Sequence, residues 1–238
     1  MKFSVITLCP SLPPLFSGDG KLQAIYPVNA QLVGLANERP EFARALETGH
    51  CVVDGQILLW AANLRARING LTRFEKLSGS DLVYRISQEL SHSRRRLLLV
   101  GASEAANAAS VRILKERFGL DVHGYSPPFA PYPMPRDWVD NLMHVVREVR
   151  PDAIFVAFGA PKQELLIADL MPELQATGVG LIMAIGGSLD FLSGSVRRAP
   201  RWIQSAGLEG LYRFIQQPNL MRLRRIAESL SALRYFWK

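Results

Sequence analysis

The sequence has little that would place it within a bilayer, in a disulfide scaffold or around a metal. No apolar run approaches the ~20 residues that a spanning helix needs; the longest, Val179 to Ile185, is strand-sized. Two cysteines, Cys9 and Cys51, are too few for a disulfide framework, and a reduced cytosolic setting is the simplest reading. The four histidines, His50, His92, His123 and His144, lack ligand-like spacing, so no metal site is expected. Also missing are G-x-G-x-x-G, G-x-x-x-x-G-K-[ST] and G-x-S-x-G. Dinucleotide, P-loop and serine-triad chemistry lose weight accordingly, and no cofactor is expected. Met1 to Phe16 faintly resembles a secretory leader. Pro10, Pro13 and Pro14 interrupt it and no small-residue cleavage pattern follows, so a mature N-terminus is expected.

What is present is a chain of 238 residues and 26.5 kDa, 48% apolar and 21% charged. That is the composition of a globular protein with a sizeable core, as one domain or one domain plus an appendage. The net charge of +7 is concentrated in one place. From Val196 to Lys238 stand Arg197, Arg198, Arg201, Arg213, Arg222, Arg224, Arg225, Arg234 and Lys238, opposed only by Glu209 and Glu228. The rest of the chain is neutral. This asymmetry suggests that the C-terminus meets something anionic: a membrane surface, a phosphate-bearing substrate or nucleic acid.

Periodicity gives the organisation. A helix is expected over 29–46, broken or restarted at Pro40, then a strand over 51–53, stopped by Asp54-Gly55. A helical pattern through Leu58, Leu59, Ala62 and Leu64 precedes a loop over 67–79 and a helix over 81–90. The second half alternates more regularly, with strands over 96–100, 121–125, 153–158 and 179–185 separated by helices to 118, over 137–149 and over 162–174. A proline-rich loop spans 127–135. Such alternation argues for an α/β fold, a parallel sheet with helices on both faces. In the tail, Leu223, Ile226, Leu230, Leu233 and Trp237 form an apolar stripe on a helix, with Arg222, Arg225 and Arg234 beside it. It reads either as a helix docked on its own domain or a subunit, or as a basic amphipathic helix at an anionic membrane. The expected division is a core over 1–195 and a basic helical appendage over 196–238.

In an open α/β sheet, ligands bind beyond the carboxyl ends of the strands. Three such ends carry glycine before a helix: Gly101-Ala102-Ser103, Gly159-Ala160-Pro161 and Gly186-Gly187-Ser188. Glycine lets backbone approach a ligand, and helix N–H groups favour phosphate oxygens, so together they suggest a phosphate or nucleotide crevice. Asp54, at a strand end, can act as a general base, although Asp-Gly also serves as a turn or cap. Gln163 and Glu164 equally suit the first turn of a helix. Asp190 can contact nucleotide or cap its own loop. No Asp-x-Asp offers an acidic grip on a divalent ion bridging a sugar nucleotide, so a leaving phosphate would need arginine or lysine, and the tail is their only concentrated supply.

The blocks Gly159-Ala160-Pro161-Lys162-Gln163-Glu164, Gly186-Gly187-Ser188-Leu189-Asp190-Phe191, Arg198-Ala199-Pro200-Arg201-Trp202 and Gly207-Leu208-Glu209 to Tyr212-Arg213-Phe214 follow in order. With Asn29, Val53-Asp54-Gly55 and Gly79-Ser80-Asp81-Leu82, this succession resembles the WecG/TagA/CpsF family of bacterial glycosyltransferases. The resemblance implies a Rossmann-like core. It also implies an inverting, metal-independent transfer from a UDP-sugar to a polyprenyl-diphosphate-linked saccharide at the inner face of the cytoplasmic membrane. It makes Asp54 the base and sets Gln163 and Asn29 at the sugar or acceptor. Gly101, Lys76, Gly159, Pro161, Lys162, Glu164, Gly186, Gly187, Asp190, Glu209, Arg213, Arg222 and Arg225 are the expected substrate and nucleotide contacts. The tail is expected to meet the anionic membrane, with self-association as a further way to cover its stripe.

This sequence departs from the family pattern at Pro27, Lys76, Gly210 and Asn219, which bears on the sugar and acceptor used and on how the tail grips them. Two other classes are open on the residues alone. A nucleotide-binding regulatory domain could use the same crevice without turnover. A nucleic-acid binder could use the basic tail with its aromatic residues, but nucleic acid does not require the apolar stripe, so no nucleic-acid partner is expected.

Overall fold

The computed structural model describes residues 1–16 and 20–236, with Met221 by its backbone only. β1 (Lys2–Phe3) pairs antiparallel with β2 (Ile6–Cys9), and β3 (Gln23–Val28) follows. The sequence pattern does not announce these strands: two are very short, and Pro27 inside the third counts against a strand. α1 (Ala30–Glu38) is capped by Asn29, whose Oδ1 accepts from the Leu32 N–H at 3.1 Å. α2 (Pro40–Glu47) restarts at Pro40, where the ring's fixed φ suits the first helical position. β4 (His50–Val53) ends at Asp54-Gly55, and α3 (Gln56–Ile68) follows.

α4 (Gly79–His92) opens the regular part. β5 (Arg96–Gly101), α5 (Glu104–Phe118), β6 (Asp121–Tyr125), α6 (Arg136–Val149), β7 (Ala153–Ala157), α7 (Lys162–Gln175), β8 (Leu181–Ala184) and α8 (Ser188–Leu192) come next. β7 and β8 are buried at every position and β5 at all but Arg96, which is why they read as unbroken apolar runs. The chain continues through α9 (Arg201–Ser205), α10 (Glu209–Gln216), α11 (Leu220–Ser231) and a 3-10 turn at Ala232–Tyr235. Strand order is β1-β2-β4-β3-β8-β7-β5-β6. The pairs β2–β4, β3–β8, β8–β7, β7–β5 and β5–β6 all run parallel. The expected α/β class, with a largely parallel sheet and a helical C-terminus, is the observed one.

Contacts divide the chain into two units. One comprises Met1–Pro13, Tyr26–Ser78 and Val196–Lys238, and the other Pro14–Ile25 and Gly79–Ser195. The basic C-terminal segment is therefore part of the first unit, where α11 lies on α1. A Cβ at Gly34 would stand only 3.1 Å from that of Ala232, so the two backbones need a small residue there to approach. Gln31 Nε2 donates to Glu228 Oε2 at 2.8 Å, and Arg234 Nη2 to Glu38 Oε1 at 2.8 Å. The Phe236 ring sets its edge against Phe3 at 5.3 Å.

Among the described residues, most of the tail's apolar stripe is left uncovered. Leu223, Leu230 and Leu233 are exposed, while half-buried Ile226 lies near Gly210 of α10. Trp237, the last position of that stripe, and Lys238 fall outside the described residues. Neither cysteine is in a disulfide, and burial pushes the Cys9 thiol up, away from thiolate chemistry. Among the described residues, no helix is long and apolar enough to cross a membrane.

Candidate active site

In the first unit, Asp54 leaves the carboxyl end of β4, half-buried. Its N–H donates to the Val28 carbonyl at 2.7 Å, which sets it against the end of β3 and beside Asn29. Gly55, at φ 85°, turns the chain into α3, and a Cβ there would stand 3.6 Å from that of Asn29. Asn29 commits its Oδ1 to the α1 cap, so its amide nitrogen is the group it can offer a ligand.

A further segment lies along the end of β4. The Leu77 N–H donates to the Val53 carbonyl at 2.7 Å, which brings Lys76 and Ser78 to the same rim. Both hold C-terminal residues. Lys76 Nζ lies 3.3 Å from Glu209 Oε2, and Arg198 Nη2 donates to the Ser78 Oγ at 3.1 Å. Residues 76–78 and 198–209, far apart in sequence, thus meet at the strand end from which Asp54 emerges. Sequence reasoning missed Ser78. Its signal is faint, a serine preceding the Gly79-Ser80 block.

Arg213 follows Glu209 by one helical turn on α10, with its Nε shielded from solvent. Arg222 turns inward to its own segment: Nη2 donates to Gln217 Oε1, and its N–H is capped by Asn219 Oδ1 at 2.9 Å. Arg225 is half-buried on α11.

In the second unit, Gln163 organises the turns after β7 and β8. Its Oε1 accepts from the Gly159 N–H at 3.1 Å and the Gly186 N–H at 3.0 Å, while Nε2 donates to Glu164 Oε1 at 2.9 Å. Gln163 is 5% exposed and Glu164 1%. Gly159 and Gly186 have φ of 77° and 51°, so both turns use conformations that side-chain-bearing residues avoid. The glutamine carbonyl therefore faces protein backbone on both counts.

Pro161 precedes α7 directly. Lys162 Nζ donates to the Ala130 carbonyl at 2.9 Å and lies 4.4 Å from the Phe129 ring centre, and burial lowers its pKa. It holds the proline-rich loop, at whose tip Phe129 is 90% exposed. Gly187 precedes α8, and Asp190 sits half-buried in that helix's first turn.

Gly101 is held by its own fold. At φ 100°, a Cβ would meet the Ala157 carbonyl at 2.9 Å, and its own carbonyl accepts from Asn107 Nδ2 at 2.9 Å. Asn107, buried, also donates to the Leu99 carbonyl at 3.1 Å. This clamp across a strand end lay in an alanine-rich helix whose pattern gave no hint of it. Among the described residues, no three His, Cys, Asp or Glu side chains gather as metal ligands.

The order of the sequence blocks resembles a glycosyltransferase family, and comparison with known proteins agrees. Residues 15–238 match the glycosyl transferase WecG/TagA/CpsF family, and the chain belongs to that family. It is a glycosyltransferase. Over 202 residues it is 27% identical to the N-acetylglucosaminyldiphosphoundecaprenol N-acetyl-beta-D-mannosaminyltransferase of Bacillus spizizenii, a match covering 83% of this chain and 73% of that protein.

Proposed function

We propose that this glycosyltransferase moves a hexose or N-acetylhexosamine-type sugar from a UDP-sugar to a polyprenyl-diphosphate-linked saccharide, in bacterial surface polysaccharide synthesis at the inner face of the membrane. The observation that carries the reading is the convergence at the end of β4, where Asp54, Asn29 and the 76–78 segment that anchors Arg198 and Glu209 all meet. The Bacillus spizizenii relative, named for transfer to a diphosphoundecaprenol-linked sugar, supports the acceptor class.

In this mechanism the Asp54 carboxylate takes the proton of the acceptor hydroxyl as that oxygen bonds to the anomeric carbon. The bond from that carbon to the UDP oxygen breaks with its electron pair, on the opposite face, and the configuration inverts. Asn29 orients the acceptor through its amide nitrogen. Arg213 supplies the positive charge that the departing UDP needs without metal. Arg222 and Arg225 assist it, Arg222 after release from Gln217.

The test is a transfer assay on the full chain with a panel of UDP-sugars, polyprenyl-diphosphate-linked acceptors and a chelator. Chelator-resistant product is expected with one donor. Substituting Arg213, Arg222 and Arg225 together should lower turnover by roughly 10²-fold or more, the scale of losing transition-state charge stabilisation. If those substitutions spare transfer to a soluble acceptor analogue, the arginines serve lipid only and the leaving group is stabilised elsewhere.

A further inference from the structure

We infer that the outward face of α3 is a docking surface for an anionic bilayer, separate from the basic tail. The helix is apolar on two opposite sides. Leu58, Ala62 and Ala66 are buried, while Trp60, Leu64 and Ile68, four residues apart on the other side, are 54%, 45% and 69% exposed. Leu71, just beyond the helix, is 50% exposed and lines a shallow groove with Leu64, Arg67 and Arg73. A contiguous exposed apolar face on a helix whose other side is already buried marks an interaction surface.

The charge around this face selects the occupant. Between Asp54 and Glu75 the chain has Arg65, Arg67 and Arg73 and no carboxylate. Arg65 is held inward, over the Phe3 ring at 5.2 Å, with Nη1 3.5 Å from the Phe236 carbonyl. Arg67 and Arg73 remain exposed beside the leucines. Tryptophan, leucine and isoleucine flanked by arginine, without acidic residues, is the composition of an element lying in the interface of anionic lipid. A second copy of the chain is the poorer fit, because a two-fold contact would set these arginines against their own kind. The C-terminal segment reaches α3 as well: a Cβ at Gly207 would lie 3.3 Å from Ile57.

This surface deepens the proposed function, since an enzyme acting on a lipid-linked acceptor must reach the membrane, but its test reads binding and not turnover. The full chain is sedimented with phosphatidylglycerol–phosphatidylcholine vesicles and with phosphatidylcholine alone. Trp60→Ser, Leu64→Ser and Ile68→Ser combined, with the tail intact, should weaken partitioning to the anionic vesicles by roughly tenfold. Wild-type binding should also fall with salt.

Because the triple variant alters a helix, a second chain carries Cys9→Ser and Ile68→Cys, labelled with a polarity-sensitive dye at this exposed site. Its emission should shift to the blue with anionic vesicles. Unchanged partitioning together with an unshifted label would overturn the inference. So would a self-association that the triple variant abolishes while vesicle binding persists. Failure to transfer any sugar, with the vesicle effects intact, would count against the proposed function and leave this surface standing.

Discussion

Asp54→Asn is expected to cut sugar transfer by roughly 10²–10⁴-fold, the usual contribution of a positioned general base, while leaving UDP binding near that of the native chain. The substitution keeps the shape of the side chain. It also leaves the backbone bond from Asp54 N–H to the Val28 carbonyl in place, so the rim of β4 should persist. A thermal melt close to that of the native protein is part of the expectation. Turnover that survives the change would move the base to another group. Loss of turnover accompanied by a large fall in melting temperature would make Asp54 a structural residue of the β4 turn.

Gln163 should separate binding from chemistry. Gln163→Ala leaves the Gly159 and Gly186 N–H groups without their shared acceptor, and a lost hydrogen bond of this kind costs about 1–3 kcal/mol where water cannot replace it. The two turns should loosen. The expected result is a KM for donor raised by roughly 10–100-fold, with a smaller fall in kcat, since loosened glycine turns are a poorer seat for the proposed nucleotide.

Gln163→Glu is the sharper probe. It keeps an oxygen for both glycines but sets a second carboxylate where Nε2 now donates to Glu164 Oε1 at 2.9 Å. Two carboxylates that close cannot both ionise cheaply. Its defect should therefore be worst at high pH and shrink as pH falls and a proton takes the place of the amide hydrogen. A pH-independent defect in this variant, or a pure kcat effect in the alanine variant, would make the amide a direct substrate contact.

The legible parts of the sequence were those where burial leaves a simple pattern. Leu97 to Val100, Ala153 to Ala157 and Leu181 to Ala184 are buried on both faces, so their strands are unbroken apolar runs and the class of fold follows from them. Pro40 restarts a helix because its ring does so anywhere. The N-terminal strands were hidden, since β3 contains Pro27 and β1 has only two residues. α9 and α10 were hidden for another reason: they have only five and eight residues and bury none, so the spacing of Leu211 and Ile215 on α10 is too short a run to mark a docked face.

For the site, Asp54 could be found from its place after a strand and before Gly55. The block containing Gln163 could be found too. What no pattern reveals is that the Gln163 carbonyl turns back to two glycine N–H groups, or that Ser78 and Asn107 spend buried polar atoms on fold. Such side chains answer to backbone groups brought near by the sheet, and sequence spacing carries no record of them.

The division of the chain has a consequence for how the protein is made. The unit that holds Asp54 is assembled from three stretches, and Gly79–Ser195 of the other unit is synthesised between the second and the third. While a ribosome is still translating that middle stretch, α1 has been released without α11, and the contact of Gly34 with Ala232 spans almost the whole chain. Contacts of such separation form late. The usual order, in which the N-terminal part completes itself first, is reversed here. The half of the protein that carries Asp54 is begun first and finished last.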